Sequence, residues 1–401
     1  MEENILYWIW AQQVFGVGSR KPMQLCRKFS SIRSFFEEAP TLREDHTVFT
    51  PAESARASQI TLEDCAKIFR QAEAKGMQVL TPDSRGYPDC LRQIAAPPAV
   101  LYVQGELPPV DDIPTIAIVG TRQPSEGGVA AARTLSAQLA RAGVIVVSGG
   151  AIGIDSAAHN GAIEAGGKTV SLLATGLDVP YLKSNKQLRK SIRSHGALVS
   201  EFPPGTAARK WHFGIRNRLI SGLSCGVLVT EASIKSGSLM TAQHAVEQDR
   251  DVFTLMVDCW RSNAEGVLQL LWDGAKPISC AADILVEYKG RFPALQVPER
   301  QPLSEVMQGI SLDGSKSSDT SKEESSEEAL EIEMQTHAGT EKPLSVDAQA
   351  LYESLTREPQ TAYRLMEKTG MSFSKFLISA TELEMAGRVQ AFSGRRYAKK
   401  S

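Results

Sequence analysis

No run of roughly 18 apolar residues interrupts the 401-residue sequence, so a membrane-spanning helix is not expected. A basic-then-apolar leader ahead of a cleavage site is also missing, which points to a cytoplasmic protein. Cysteine is sparse. The six thiols (Cys26, Cys65, Cys90, Cys225, Cys259 and Cys280) are scattered and form no C-x-x-C pair. That suits reduced thiols and argues against structural zinc. The six histidines show no ligand spacing either, so no metal and no cofactor are expected. Net charge is nearly absent, at −2. The figure hides an asymmetry: residues 311–347 hold ten acids and three lysines, a local −7, which leaves +5 for the remainder. A mildly basic folded part permits a polyanionic partner.

What is present is organised around residues 116–159. IAIV (116–119) and VIVV (144–147) are short β-branched runs closed by glycine, the pattern of strands buried on both faces of a parallel sheet. The run 129–143 between them has apolar residues at helical spacing and ends in Gly143, suited to a C-cap. Two strands thus deliver glycine turns to one sheet edge, where open α/β sheets bind ligands. The first turn, Gly120-Thr121-Arg122, brings a cation. The second offers the backbone N–H groups of Ser148, Gly149, Gly150 and Gly153. Such a pocket suits phosphate.

The alternation of strands and helices continues to about residue 275, which predicts six or seven mostly parallel strands with helices on both faces, a doubly wound, Rossmann-like α/β sheet. Residues 1–78 read as a helical domain whose Gly16-Val17-Gly18 turn is either a DNA-contacting hairpin or a packing cap. Thr61 is the expected N-cap of a helix over 61–75, with Asp64 short for a full capping box. Residues 79–295 form the expected sheet domain. The acidic Ser/Glu-rich stretch 296–345 has too few large apolar residues to offset its ordering entropy and reads as a linker. Residues 346–401 have the outline of a winged helix, with its wing around Gly394 and Arg395, Arg396, Lys399 and Lys400 clustered beside it. Such modules contact DNA or dock partners, and both readings stand.

Catalytic patterns fail on geometry. Asp155 and Ser156 precede His159 by about one turn, which crowds one side of the imidazole instead of engaging both nitrogens. Asp155 is better read as an acid at a helix N-terminus and His159 as a packing residue. Gly222-x-Ser224-x-Gly226 joins a helix to a strand, the reverse of a nucleophile elbow. The run from Gly161 to Gly167-Lys168-Thr169 has one residue too many for a P-loop. What remains is a set of cations near strand-to-helix transitions: Arg122, Lys183, Arg209, Lys210, Arg216, Arg218 and Lys235. Glu201 and Glu231 offer Arg216 and Arg218 internal partners, so an ion-pair network rivals the phosphate reading there. Tyr181, Trp211 and Phe213 are candidate stacking residues or core.

Taken together, IAIVGTRQPSEGG, VVSGGAIGIDSAAHNGAI, LVSEFPPGT, RNRLISGLS and SGSLMTAQHAVEQDRDVF resemble the DprA/Smf family of bacterial DNA-processing proteins, over residues 97–282 and in the same order. The resemblance implies a non-enzymatic protein that binds single-stranded DNA, self-associates as a homodimer, and loads the RecA recombinase during natural transformation. It implies DNA contact by Arg122, and by Lys183 beside the Tyr181-Leu182-Lys183-Ser184-Asn185 stretch, where the family has Tyr-Pro. It matches Arg216, Asn217 and Arg218 to the family's R-N-R element. Lys235 is a further DNA-binding candidate, while Asp155, Asn217 and Glu231 are expected to be structural. Departures fall at Met256-Val257 in place of Pro-Gly, at Leu268 in place of Asn, and at Gly150 and Ile152 in the second loop. A second reading, a nucleotide-processing enzyme related to phosphoribohydrolases, meets His244 where that family has a catalytic Glu.

Overall fold

Alternate side chains of the strand Thr115–Val119 leave on opposite faces, and each face has its own helices. Ile116 and Ile118 pack with Leu135 and Leu139, whereas Ala117 and Val119 pack with Leu219, Ile220 and Ala242. The two-residue period of a strand is thereby read out as two cores. A computed structural model describes residues 2–256, 262–303, 344–358, 360–371, 373–392 and 396–400. They fall into two compact units, residues 1–312 and 313–401.

The first unit opens with helices α1 (Glu2–Phe15), α2 (Lys21–Lys28), α3 (Ile32–Glu38), α4 (Pro51–Gln59) and α5 (Leu62–Ala74). Strand β1 (Gln78–Leu80), the short α6 (Asp89–Arg92) and β2 (Leu101–Gly105) follow. The central alternation is β3 (Thr115–Val119), α7 (Glu126–Arg141), β4 (Ile145–Ser148), α8 (Ile154–Glu164), β5 (Thr169–Leu173), α9 (Lys186–His195) and β6 (Gly196–Ser200). It continues through α10 (Lys210–Gly222), β7 (Gly226–Val229), α11 (Gly237–Glu247), β8 (Asp251–Leu255), α12 (Glu265–Trp272), β9 (Lys276–Ile278) and α13 (Ala281–Leu285).

Nine strands form one sheet in the order β1-β2-β6-β5-β4-β3-β7-β8-β9. Neighbours from β6 to β9 are parallel, and the β1–β2 and β2–β6 pairs are antiparallel. The sheet is wider than the six or seven strands expected, because three-residue β1 and β9 are too short to leave a periodic signal. The chain winds outward from β3 to β6 and then returns to place β7 beside β3. The switch point therefore lies between β3 and β7, and a crevice opens beyond their carboxyl ends.

Helices α1–α5 do not have a core of their own. Trp8, Trp10, Phe35 and Phe49 belong to one buried cluster with Val79, Tyr102, Leu173 and Leu198 from β1, β2, β5 and β6. The Gly16-Val17-Gly18 turn is spent within this unit: Gly18 N donates to Glu201 Oε1 at 3.1 Å. A Cβ on Gly18 would stand 3.0 Å from Ile215. The capping box at Thr61 forms, with Asp64 Oδ2 accepting from Thr61 N at a long 3.3 Å.

The second unit contains α14 (Val346–Ser354), α15 (Ala362–Thr369) and α16 (Phe373–Met385), with a three-stranded sheet of β10 (Gln360–Thr361), β12 (Arg396–Lys399) and β11 (Val389–Phe392). Leu351, Leu365, Phe376 and Leu383 are its core, and the arrangement is a winged helix. Gly394 and Arg395, like the acidic residues of 304–343 and Val257, lie outside the described residues.

Candidate nucleic-acid interface

Beyond the end of β3 the chain turns on Gly120, whose absent side chain is required: a Cβ there would stand 2.7 Å from Ile154 and 2.9 Å from Glu231 O. Thr121 is then tied on both sides. Its N–H donates to Glu231 O at 2.8 Å, and its carbonyl accepts from Ile154 N at 3.3 Å. Gly153, which starts α8 with φ +81, leaves no room for a Cβ, the nearest atom being Thr121 O at 2.6 Å. Glu231 also accepts from Ser125 N at 2.9 Å and from the Ser125 hydroxyl, holding the N-terminus of α7. With its neighbours pinned, Arg122 projects outward and is exposed.

The second loop is braced from behind. Arg216 donates from Nη1 to Gly149 O at 2.6 Å and to Leu172 O. Asn185 Nδ2 donates to Gly150 O and to Ser156 Oγ, both at 3.1 Å. Ala151 N donates to Asp155 Oδ2 at 3.2 Å, and Ser148 Oγ turns inward to Ile118 O at 2.6 Å. A Cβ on Gly149 would sit 2.6 Å from Arg216 Nη1 and 2.7 Å from Asp155 Oδ2. Burial pushes the Asp155 carboxyl up, against the pull of Arg216, the Ala151 N–H and the Ser148 hydroxyl. Burial likewise brings the Arg216 guanidinium down to about 10, with Asp155 opposing and Arg122 adding to the fall. The two charges offset one another inside the protein.

Phe213 is the centre of the exposed side. The Arg122 guanidinium lies 4.9 Å and that of Arg216 5.9 Å from its ring centroid, and the Tyr181 ring is 5.7 Å away. Phe213 and Tyr181 are half-buried and Trp211, two residues before Phe213, is 56% exposed. Arg122 makes no hydrogen bond or ion pair with the described residues, so its donors face solvent over an aromatic platform. Arg209 and Lys210 are exposed where α10 begins, and with no acid in that first turn their charge stands against the helix dipole.

Arg218 is placed otherwise than expected. It lies roughly 200° round α10 from Arg216 and pairs with Glu201 at 2.9 Å, with side-chain exposures of 9% and 3%. It stands among the core instead of the crevice. Asn217 bridges α10 to the start of α11, accepting from Arg216 Nε at 3.2 Å and donating to Gly237 O at 3.1 Å. Lys235 is exposed in the turn between β7 and α11. The side chain of Lys183 lies outside the described residues, but the backbone before it is informative. Leu182 has φ +54, a left-handed conformation that the family's proline cannot adopt. His159 is fully buried, with Nδ1 2.8 Å from Thr169 Oγ1. His244 faces Glu247 at 3.2 Å on α11.

Fold and site define a class: a Rossmann-like protein with a cation- and aromatic-lined crevice at its switch point, joined to a winged helix. A family model described as DNA recombination-mediator protein A matches residues 78–289, and one described as the DprA winged helix domain matches 335–395. The chain belongs to the DNA recombination-mediator protein A family. It is 35% identical to the protein Smf of Synechocystis over 302 residues, 74% of this chain and 75% of that one. It is 41% identical to the DNA processing protein DprA of Bacillus subtilis over 225 residues, 56% of this chain and 76% of the relative. The X-ray structure of DNA processing protein A from Streptococcus pneumoniae superposes with TM-score 0.63 at 30% identity, covering 71% of this chain and 97% of that one.

Proposed function

We propose that this protein binds single-stranded DNA without catalysing a reaction on it, protects incoming DNA, and loads the RecA recombinase onto it during natural transformation. In this reading it acts in the cytoplasm as a homodimer. The observation that carries the DNA contact is Arg122: exposed, without a hydrogen bond or ion pair among the described residues, and held 4.9 Å over Phe213 at the sheet's switch point. A guanidinium beside an aromatic face suits a phosphate and its neighbouring base, with little selection among bases. The braced loop behind it supplies rigidity, and Arg216 and Asp155 supply that bracing instead of direct contact.

Fluorescence anisotropy with labelled oligo-dT and its duplex counterpart across a salt series tests this. Binding that favours the single strand and weakens with salt is expected. Arg122→Ala should weaken it for every base composition and lower the slope of log K against log salt by roughly one unit. An unchanged slope in that variant would remove Arg122 from the interface. RecA loading is tested separately, by the rate of RecA filament assembly on the bound strand with and without this protein.

A further inference from the structure

Helix α9 carries a basic stripe that the crevice does not use. Its ten residues include Lys186, Arg189, Lys190 and Arg193 and no acid. At 3.6 residues per turn, positions 186, 190 and 193 share one side, and all three side chains are exposed. The other side packs inward through Leu188 and Ile192. Arg189 also turns in, donating from Nη1 to Val179 O at 3.2 Å.

Many surface cations of this unit have acids to match: Lys67 with Asp64, Arg70 with Glu63, Arg133 with Glu164, and Lys276 with Glu287. Lys186, Lys190 and Arg193 form no ion pair with any described residue. The arrangement works against the helix itself. Like charges four apart repel, and Lys186 occupies a first turn that has neither an acid nor a side-chain cap. An anion laid along the stripe would relieve both.

Position says which anion. Asn185, the residue before α9, is the one whose side chain holds Gly150 O at 3.1 Å. The stripe therefore starts at the edge of the crevice and runs away from it for about 10 Å between Lys186 and Arg193, at 1.5 Å per residue. We propose that Lys186, Lys190 and Arg193 form a second backbone contact for the strand held at Arg122, guiding it out of the crevice along α9. This rests on the single-strand reading above. Lysines on flexible stems suit such a track, because they supply charge without demanding one phosphate geometry.

The test compares an oligo-dT of about six nucleotides with one of about thirty, spanning the range of single-strand site sizes. The triple variant Lys186→Gln, Lys190→Gln, Arg193→Gln should bind the short oligomer as the parent does. It should bind the long one roughly tenfold more weakly, with the salt slope lowered by about two units. A second triple variant, Lys186→Arg, Lys190→Arg, Arg193→Lys, should restore long-oligomer binding, which separates charge from fold. Unchanged long-oligomer binding in the glutamine variant, or equal loss on both lengths, overturns the track and leaves the crevice reading intact. Arg122→Ala binding both lengths like the parent overturns the crevice reading, and the track with it.

Discussion

Gly149 shows how little latitude the crevice leaves its backbone. No side chain fits between Arg216 Nη1 and Asp155 Oδ2, so the side of the loop that a Gly149 Cβ would occupy is already packed from the protein interior. The sequence marks that loop by its glycines, yet glycine spacing does not say which side of a turn is free. His159 makes the same point for a titratable group. Burial, helped by the charge of Arg216, brings its imidazole down to about 3. An unfolded chain binds that proton below about pH 6.5. Stability from this residue is therefore complete above pH 6.5 and is lost as pH falls toward 3. Between pH 7 and 4.5 the loss should be about 2–3 kcal/mol, at 1.36 kcal/mol per unit. Burial lowers His212 as well, adding a change of the same sign. Urea midpoints at the two pH values measure it, and His159→Gln should flatten most of the dependence. An equally steep dependence in that variant would assign it to other groups.

Among the elements, α4 has one of the clearest boundaries in the structure. Thr50 accepts from Glu53 N while Glu53 Oε2 accepts from Thr50 N at 2.7 Å, and Pro51 opens the helix. The short helix has too few apolar positions to show a period, although the Thr-Pro-x-Glu pattern is a start signal in itself. Thr50→Ala should cost about 1 kcal/mol in urea unfolding. A loss well below that would mean the tertiary contacts of Glu53, which also meets Lys21 at 2.5 Å, hold the helix start without the cap. Helix α16 of the winged helix offers little positive charge outward. Its Lys375 pairs with Asp347 at 3.1 Å, Glu382 accepts from Ser345 N at 2.7 Å, and Ile378 is 68% exposed.

At the scale of the whole molecule, the shared core of α1–α5 with β1, β2, β5 and β6 governs what can be separated. Removing residues 1–75 would expose Val79, Val100, Tyr102 and Leu198, now all buried. A chain beginning at residue 76 should bind a hydrophobic dye and unfold at a lower temperature than the parent. At about 25 cal/mol per Å² of apolar surface, each large side chain uncovered costs about 1.5–3 kcal/mol. Unfolding at the parent temperature without dye binding would show that the sheet stands without its helical cover.

The sequence by itself determined the alternation of strands and helices, the doubly wound class and the glycine turns at one sheet edge. These follow from local periodicity and from steric demands that a few neighbouring residues declare. Membership of the family was legible as well, because its motifs recur in order between residues 97 and 282. Only the tertiary structure decided that Arg122 faces solvent while Arg216 braces a loop and Arg218 pairs with Glu201. The three arginines are alike in charge. Their separation arises because Gly149, Glu201 and Phe213 are brought to them from distant parts of the chain, and burial then decides which charge is free to meet a phosphate.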